Sequence, residues 1–201
     1  EESKASGSFG TIIKKMKSNA WMKLSDTSGG LFLFRNAAYK NYSIFLNNIR
    51  DAQVDLRLYI GYPRKEYACL DPRFIFASLN SVLTYLGMEL IGRTNLGEGA
   101  LDIKTTDYQK IPIVDPLTLA KILEENGKVT KFFNVVDSIL KAIPQDIEIE
   151  AQNKVRLEME KFVLGSIGFS DQDIADLYNN LICLVNFRTE RAKSTFKNKS
   201  G

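Results

Sequence analysis

The sequence contains no histidine. That absence excludes Ser-His-Asp and Cys-His catalysis and removes the commonest zinc ligand. Only two cysteines are present, Cys69 and Cys183, far apart in the chain and unlike any metal-ligand spacing. Each sits among apolar neighbours, and both are expected to be buried free thiols in a reducing compartment. No apolar run approaches the roughly 18–20 residues of a membrane span, and no signal peptide opens the chain. There is no GxxxxGK[ST], no GxSxG, no internal repeat and no low-complexity tract. The first residues, Glu1-Glu2-Ser3-Lys4, lack a methionine and read as a cut or processed end of a longer protein.

What remains is ordinary globular material: 201 residues, 44% hydrophobic, 25% charged and 10% aromatic. The net charge is only +3, but its distribution is uneven. Residues 3–65 carry 11 Lys or Arg against 3 Asp, whereas residues 66–187 carry 11 against 18 acids. The last segment, 188–201, has 5 basic residues and one acid, Glu190. A basic front and tail around an acidic middle suggest a polyanion-facing surface, with Phe32, Phe34, Tyr39, Tyr42 and Tyr59 interleaved in the front. Composition alone permits a solvated basic face equally well.

The pattern predicts three regions: a basic lead with a short helix (1–24), an α/β region (25–116) and a C-terminal helical region (117–201). Leu31–Phe34 and the alternating Val54–Ile60 read as strands. Gly61-Tyr62-Pro63-Arg64-Lys65 reads as a turn with a basic tip. Asp71-Pro72 starts a helix expected to run to Ile91, where Gly92 stops it. The glycine-rich loop Gly92–Gly99 leads to a strand at Ala100–Lys104, so its GxG lies in the wrong context for a dinucleotide site. A one-turn helix at Thr106–Gln109 and a strand at Ile111–Val114 follow. Helices are expected at Leu117–Glu125, Val129–Ala142, Ile149–Ser166 and Asp171–Lys193. The carboxylate pairs Glu158/Glu160 and Asp171/Asp173 read as solvated or capping groups. The class is thus α+β: a small mixed sheet with a central helix, then a helical part. From the residues alone it is a binding or interaction module without a catalytic constellation.

The stretch Leu70–Pro116 resembles the C-terminal part of adenine-specific (N6) DNA methyltransferases of restriction–modification systems. Leu79-Asn80-Ser81, the Gly92–Leu101 loop (G-R-x-x-L-G-x-G-A-L) and Asp107-Tyr108 leading to Ile111-Pro112-Ile113 carry it. Leu56–Tyr59, Arg156–Glu160, Gly165–Phe169, Asp176–Tyr178 and Arg188–Lys193 extend it over about residues 54–193. The family's (N/D/S)-P-P-(Y/F) signature and its S-adenosylmethionine loop are absent. The resemblance therefore implies a target-recognition region that cannot methylate alone and carries no cofactor, the parent using S-adenosylmethionine with or without a fused endonuclease. Implied partners are double-stranded DNA and the N-terminal methyltransferase domain of the same protein, in a prokaryotic cytoplasm and with no membrane. Extruding an adenine requires a second lobe that clamps the duplex and reads base edges. Expected DNA-binding residues are Arg64, Lys65, Arg93, Thr94 and Asn95, with Lys40, Asn41 and Lys104 as weaker candidates. Gly97 and Gly99 are expected to shape the loop, and Asn80 to pin it by hydrogen bonds. Arg93 has a second reading, as a C-terminal helix cap. Two other functions fit the sequence: a specificity-type subunit of a multi-subunit restriction system, and a protein-interaction domain that leaves DNA alone.

Overall fold

The computed structural model describes residues 30–49, 54–55, 57–94 and 99–197, with side chains to Ser194. The basic lead with its expected helix, as well as Leu56 and Asn95, lies outside the described residues. The described residues form five short strands: β1 (Phe32–Arg35), β2 (Ala37–Ala38), β3 (Ile44–Leu46), β4 (Leu58–Gly61) and, later, β5 (Leu101–Asp102). The order β3-β1-β4 forms one sheet and β2-β5 a second. All three strand pairs are antiparallel rather than mixed, with Phe34 opposite Ile44 and Tyr59. The strand expected from Val54 begins only at Leu58. Asp55 holds the preceding backbone in a turn, its side chain accepting the Arg57 N–H and its carbonyl the Leu58 N–H. The expected strand Ile111–Val114 is not one; Pro112 lacks a ladder donor and packs against Gly87, where a Cβ would lie 3.0 Å from the proline Cδ.

The single helix expected over residues 72–91 is two, α1 (Pro72–Leu79) and α2 (Val82–Ile91), bent by 50°. As read from the sequence, Asp71 caps α1, accepting the Arg73 N–H. Asn80 ends that helix and Ser81, in an extended conformation, caps the next. The Asn80 side chain explains the break. It accepts from the Ile44 N–H and the Tyr85 hydroxyl, and it donates to the carbonyls of Ile44 and Phe76, all within 2.8–3.0 Å. Asn80 therefore pins β3, not the glycine loop.

The helices α3 (Thr105–Tyr108), α4 (Pro116–Glu125), α5 (Val129–Leu140), α6 (Ile147–Glu150), α7 (Lys154–Val163) and α8 (Asp171–Lys197) complete the order. The expected helix 149–166 is interrupted where Asn153 caps α7 by accepting from Val155 and Arg156. From α7, Arg156 donates to the Asn80 carbonyl at 2.5 Å, and Glu160, one turn later, accepts the Val82 N–H at 2.8 Å. The helical part thus completes the hydrogen bonding of the break in the α/β part. Glu160 is fully buried, not solvated, and burial pushes its carboxyl above the usual range. Phe132 stacks on Phe74 at 5.2 Å and meets Phe162 edge-on at 5.7 Å, so α1, α5 and α7 share a core that runs across both regions. The two cysteines, expected inside, are both exposed. On α8 the periodicity implies that Ile174, Leu177, Leu181, Ile182 and Val185 are buried; Ile174, Leu181 and Val185 are, with Tyr178 beside them, while Leu177 and Ile182 are half-buried.

Candidate nucleic-acid interface

Asn36, between β1 and β2, is the hinge pin of one corner of the molecule. Its N–H donates to the Arg57 carbonyl at 3.0 Å, and its own carbonyl accepts from Ile103 at 2.9 Å. Arg93 pairs by its backbone with Asp102 in β5, and Lys104 follows directly as the residue before α3. The Tyr108 hydroxyl donates to the Arg35 carbonyl at 2.7 Å, and its ring meets Phe34 edge-on at 5.0 Å. Backbone links thereby gather Arg35, Arg57, Arg93 and Lys104 at one corner, with Lys110 just past the end of α3. Their positions follow from sheet edges and a helix start, which leave long cationic side chains at the surface.

The electrostatics are those of a modest basic patch. Among the described residues, five basic residues of this corner stand with three acids, Asp55, Asp102 and Asp107. Asp107 is buried, and its two oxygens divide the work. One accepts from the exposed Arg93 guanidinium at 2.9 Å and the other from the Lys104 backbone N–H at 2.9 Å. Arg93 therefore does not cap α2: the Gly92 N–H closes that helix onto Met88, and the Arg93 side chain turns to Asp107. A guanidinium fixed by a buried carboxylate keeps free N–H donors at a defined place, which suits phosphate or base-edge contact. Arg35 is less available, because it donates to Asn41 at 2.5 Å.

The other sequence candidates are dispersed. Thr94 is exposed beside Arg93. Arg64 and Lys65 are exposed where a 3-10 turn begins at Lys65. They stand at the far end of β4 from Arg57, on the order of 20 Å away at a strand's rise per residue. The Tyr67 hydroxyl ties that turn to Asp115 at 3.0 Å. Lys40 is half-buried and pairs with Glu148 at 3.4 Å, while its carbonyl accepts from Ile147; it is a strut between the two regions. The basic tail is corrected at its first residue. Arg188 is buried and binds Glu89 at 2.6 Å, the carbonyls of Tyr39 and Gly99, and the Tyr42 hydroxyl. Gly99 has a φ of +76° and faces α8 so closely that a Cβ would lie 3.1 Å from Ala192. Its role is loop geometry and helix packing.

Sequence reading missed Arg35, Arg57 and Asp107. Arg35 ends β1 and Arg57 immediately precedes β4, two strands that pair with each other. Asp107 stands three residues after Lys104, the spacing at which an acid reaches back to a helix start. Among the described residues no group of three or more His, Cys, Asp or Glu could hold a metal ion. No single described helix is long and apolar enough to cross a membrane. Fold and corner together define an α+β protein with a small preorganised basic patch. No family model, curated protein or solved structure matches the chain.

Proposed function

We propose that this chain binds duplex DNA, as the target-recognition region of a restriction–modification adenine-N6 DNA methyltransferase. The observation that carries DNA binding is the corner where Arg57, Arg93 and Lys104 are held on one backbone framework, with Arg93 fixed by Asp107. The methyltransferase parentage rests on the sequence resemblance across residues 54–193. In this reading Lys104 and Arg57 hold phosphates, and Arg93, with Thr94 next to it, approaches a groove. Arg64 and Lys65 reach the backbone farther along the duplex. The small charge excess predicts modest affinity, with the missing catalytic lobe supplying the rest of the clamp.

The test compares two charge reversals by fluorescence anisotropy on one mixed-sequence duplex. Arg57→Glu with Lys104→Glu is expected to weaken binding by about tenfold or more, since two phosphate contacts become repulsive. Arg64→Glu with Lys65→Glu is expected to weaken it less. Unchanged binding in the first variant overturns the reading; unchanged binding in the second removes the turn from the interface.

A further inference from the structure

A cleft of about 490 Å³ lies on the other side of β3, away from the basic corner, between that strand and the C-terminal end of α5. Its volume falls within the roughly 300–1,000 Å³ of small-molecule sites. Phe45, Leu46, Ile139, Leu140, Ile143 and Val155 supply apolar walls. Three of these keep apolar surface in solvent, Ile143 being 79% exposed, Val155 38% and Phe45 37%. An apolar lip of that kind is a standing cost unless something covers it.

The inner end of the cleft is polar and incompletely satisfied. Arg156, only 4% exposed, lines it, and its Nε makes no hydrogen bond among the described residues. Ser43, just before β3, also lines it, and its Oγ is buried without a hydrogen-bond partner. Both groups can donate a hydrogen bond, and a buried donor without an acceptor is costly. The charge of Arg156 is already met. Glu150 lies 3.4 Å from Nε without hydrogen-bond geometry, and Glu160 lies 3.9 Å from another guanidinium nitrogen. An anionic ligand would meet these carboxylates and gain little from the guanidinium. A neutral acceptor meets no such opposition.

We propose that this cleft is a binding site for a neutral, mainly apolar or aromatic small molecule bearing a carbonyl-type acceptor. The acceptor takes hydrogen bonds from Arg156 Nε and Ser43 Oγ once the lining side chains shift to open these two atoms, which are closed to solvent in the empty cleft, and the apolar body lies against Ile139, Leu140 and Phe45 beneath Ile143. The site is separate from the proposed DNA corner and does not depend on it.

The test uses a neutral naphthyl ketone dye, 6-propionyl-2-dimethylaminonaphthalene, whose emission shifts to the blue when it leaves water. Saturable one-to-one binding is expected. Two competitors of the same outline, 2-acetylnaphthalene and 2-naphthoate, separate the chemistries. The ketone is expected to displace the dye at about tenfold lower concentration than the carboxylate, the difference a charged neighbour imposes. Substitution of Arg156 would disturb the fold through Asn80, so two milder variants are used. Ser43→Ala is expected to weaken the dye about three- to tenfold, the worth of one hydrogen bond. Ala142→Trp, at a cleft-lining and exposed position, is expected to abolish binding. Both should keep the wild-type thermal midpoint. Absence of saturable binding overturns the proposal. So does preference for the carboxylate, or binding indifferent to both substitutions.

Discussion

Asp107 grips Arg93 with one carboxylate oxygen and the start of α3 with the other, so a buried acid orients an exposed base. If Arg93 contacts DNA, that grip has a measurable value. Holding the guanidinium in place beforehand spares about 0.5–1.5 kcal/mol of side-chain ordering on binding. Asp107→Asn is therefore expected to weaken duplex binding about two- to tenfold by that estimate. In an Arg93→Ala background the same change should have no further effect. Equal losses in both backgrounds, measured by anisotropy, would show that Asp107 acts through something other than Arg93.

Arg188 and Glu89 form a buried pair whose parts cannot be removed singly without loss. Their side chains are 5% and 3% exposed. Arg188→Met leaves Glu89 charged without a counter-charge, with only the Tyr42 hydroxyl still donating to it, and a cost of about 3–5 kcal/mol is expected. The double variant Glu89→Leu, Arg188→Met should be less destabilised than the sum of its parts by about 2 kcal/mol. Urea unfolding of the four proteins gives the cycle. Additive losses would mean that the arginine acts mainly through the Tyr39 and Gly99 carbonyls.

The same pair illustrates what a linear reading can recover. The helix start at Asp71-Pro72 was legible because its physics is local: an acid accepting a nearby N–H and a proline that needs no donor. The α+β class and the apolar face of α8 were legible for the same reason. The break at Asn80 was hidden because its partners lie 36, 76 and 78 residues away, in Ile44, Arg156 and Glu160. Arg188 looked like part of a solvent-facing basic tail because Glu89 stands 99 residues earlier. In the candidate interface, Arg93 was named from its loop and Lys104 as a weaker candidate at the end of the expected strand, but their union with Arg35 and Arg57 depends on antiparallel pairing between distant segments. Lys40 could be told from an interface residue only once Glu148 was placed against it.

Asn80 is the joint between β3, α1 and α7. Asn80→Ala removes four side-chain hydrogen bonds and leaves the Ile44 N–H and carbonyl without partners inside the core. The expected loss is about 3–5 kcal/mol, read by urea unfolding at neutral pH. A loss below about 1 kcal/mol, the worth of a single ordinary hydrogen bond, would contradict the pinning role.

Glu160 predicts a pH dependence of definite sign. Burial raises its carboxyl above the ordinary 4.5, so the folded protein holds that proton more tightly than the unfolded chain does. Stability from this group is therefore fully present below pH 4.5 and declines as pH rises toward the raised folded value. Glu160→Gln keeps an acceptor for the Val82 N–H and cannot ionise. Denaturant midpoints across acid to neutral pH should show the variant gaining on the wild type as pH rises. A constant difference between the two would exclude burial of Glu160 as a source of the pH dependence.

The central claim, that the basic corner faces a nucleic-acid duplex, is tested most directly by anisotropy of a labelled mixed-sequence duplex at about 50 and about 200 mM salt. With two or more phosphates neutralised, affinity should fall about tenfold or more across that range, and the Arg57→Glu, Lys104→Glu variant should lose both the binding and the salt dependence. Absence of binding at the lower salt, or binding equally strong at both and unmoved by the variant, would contradict it.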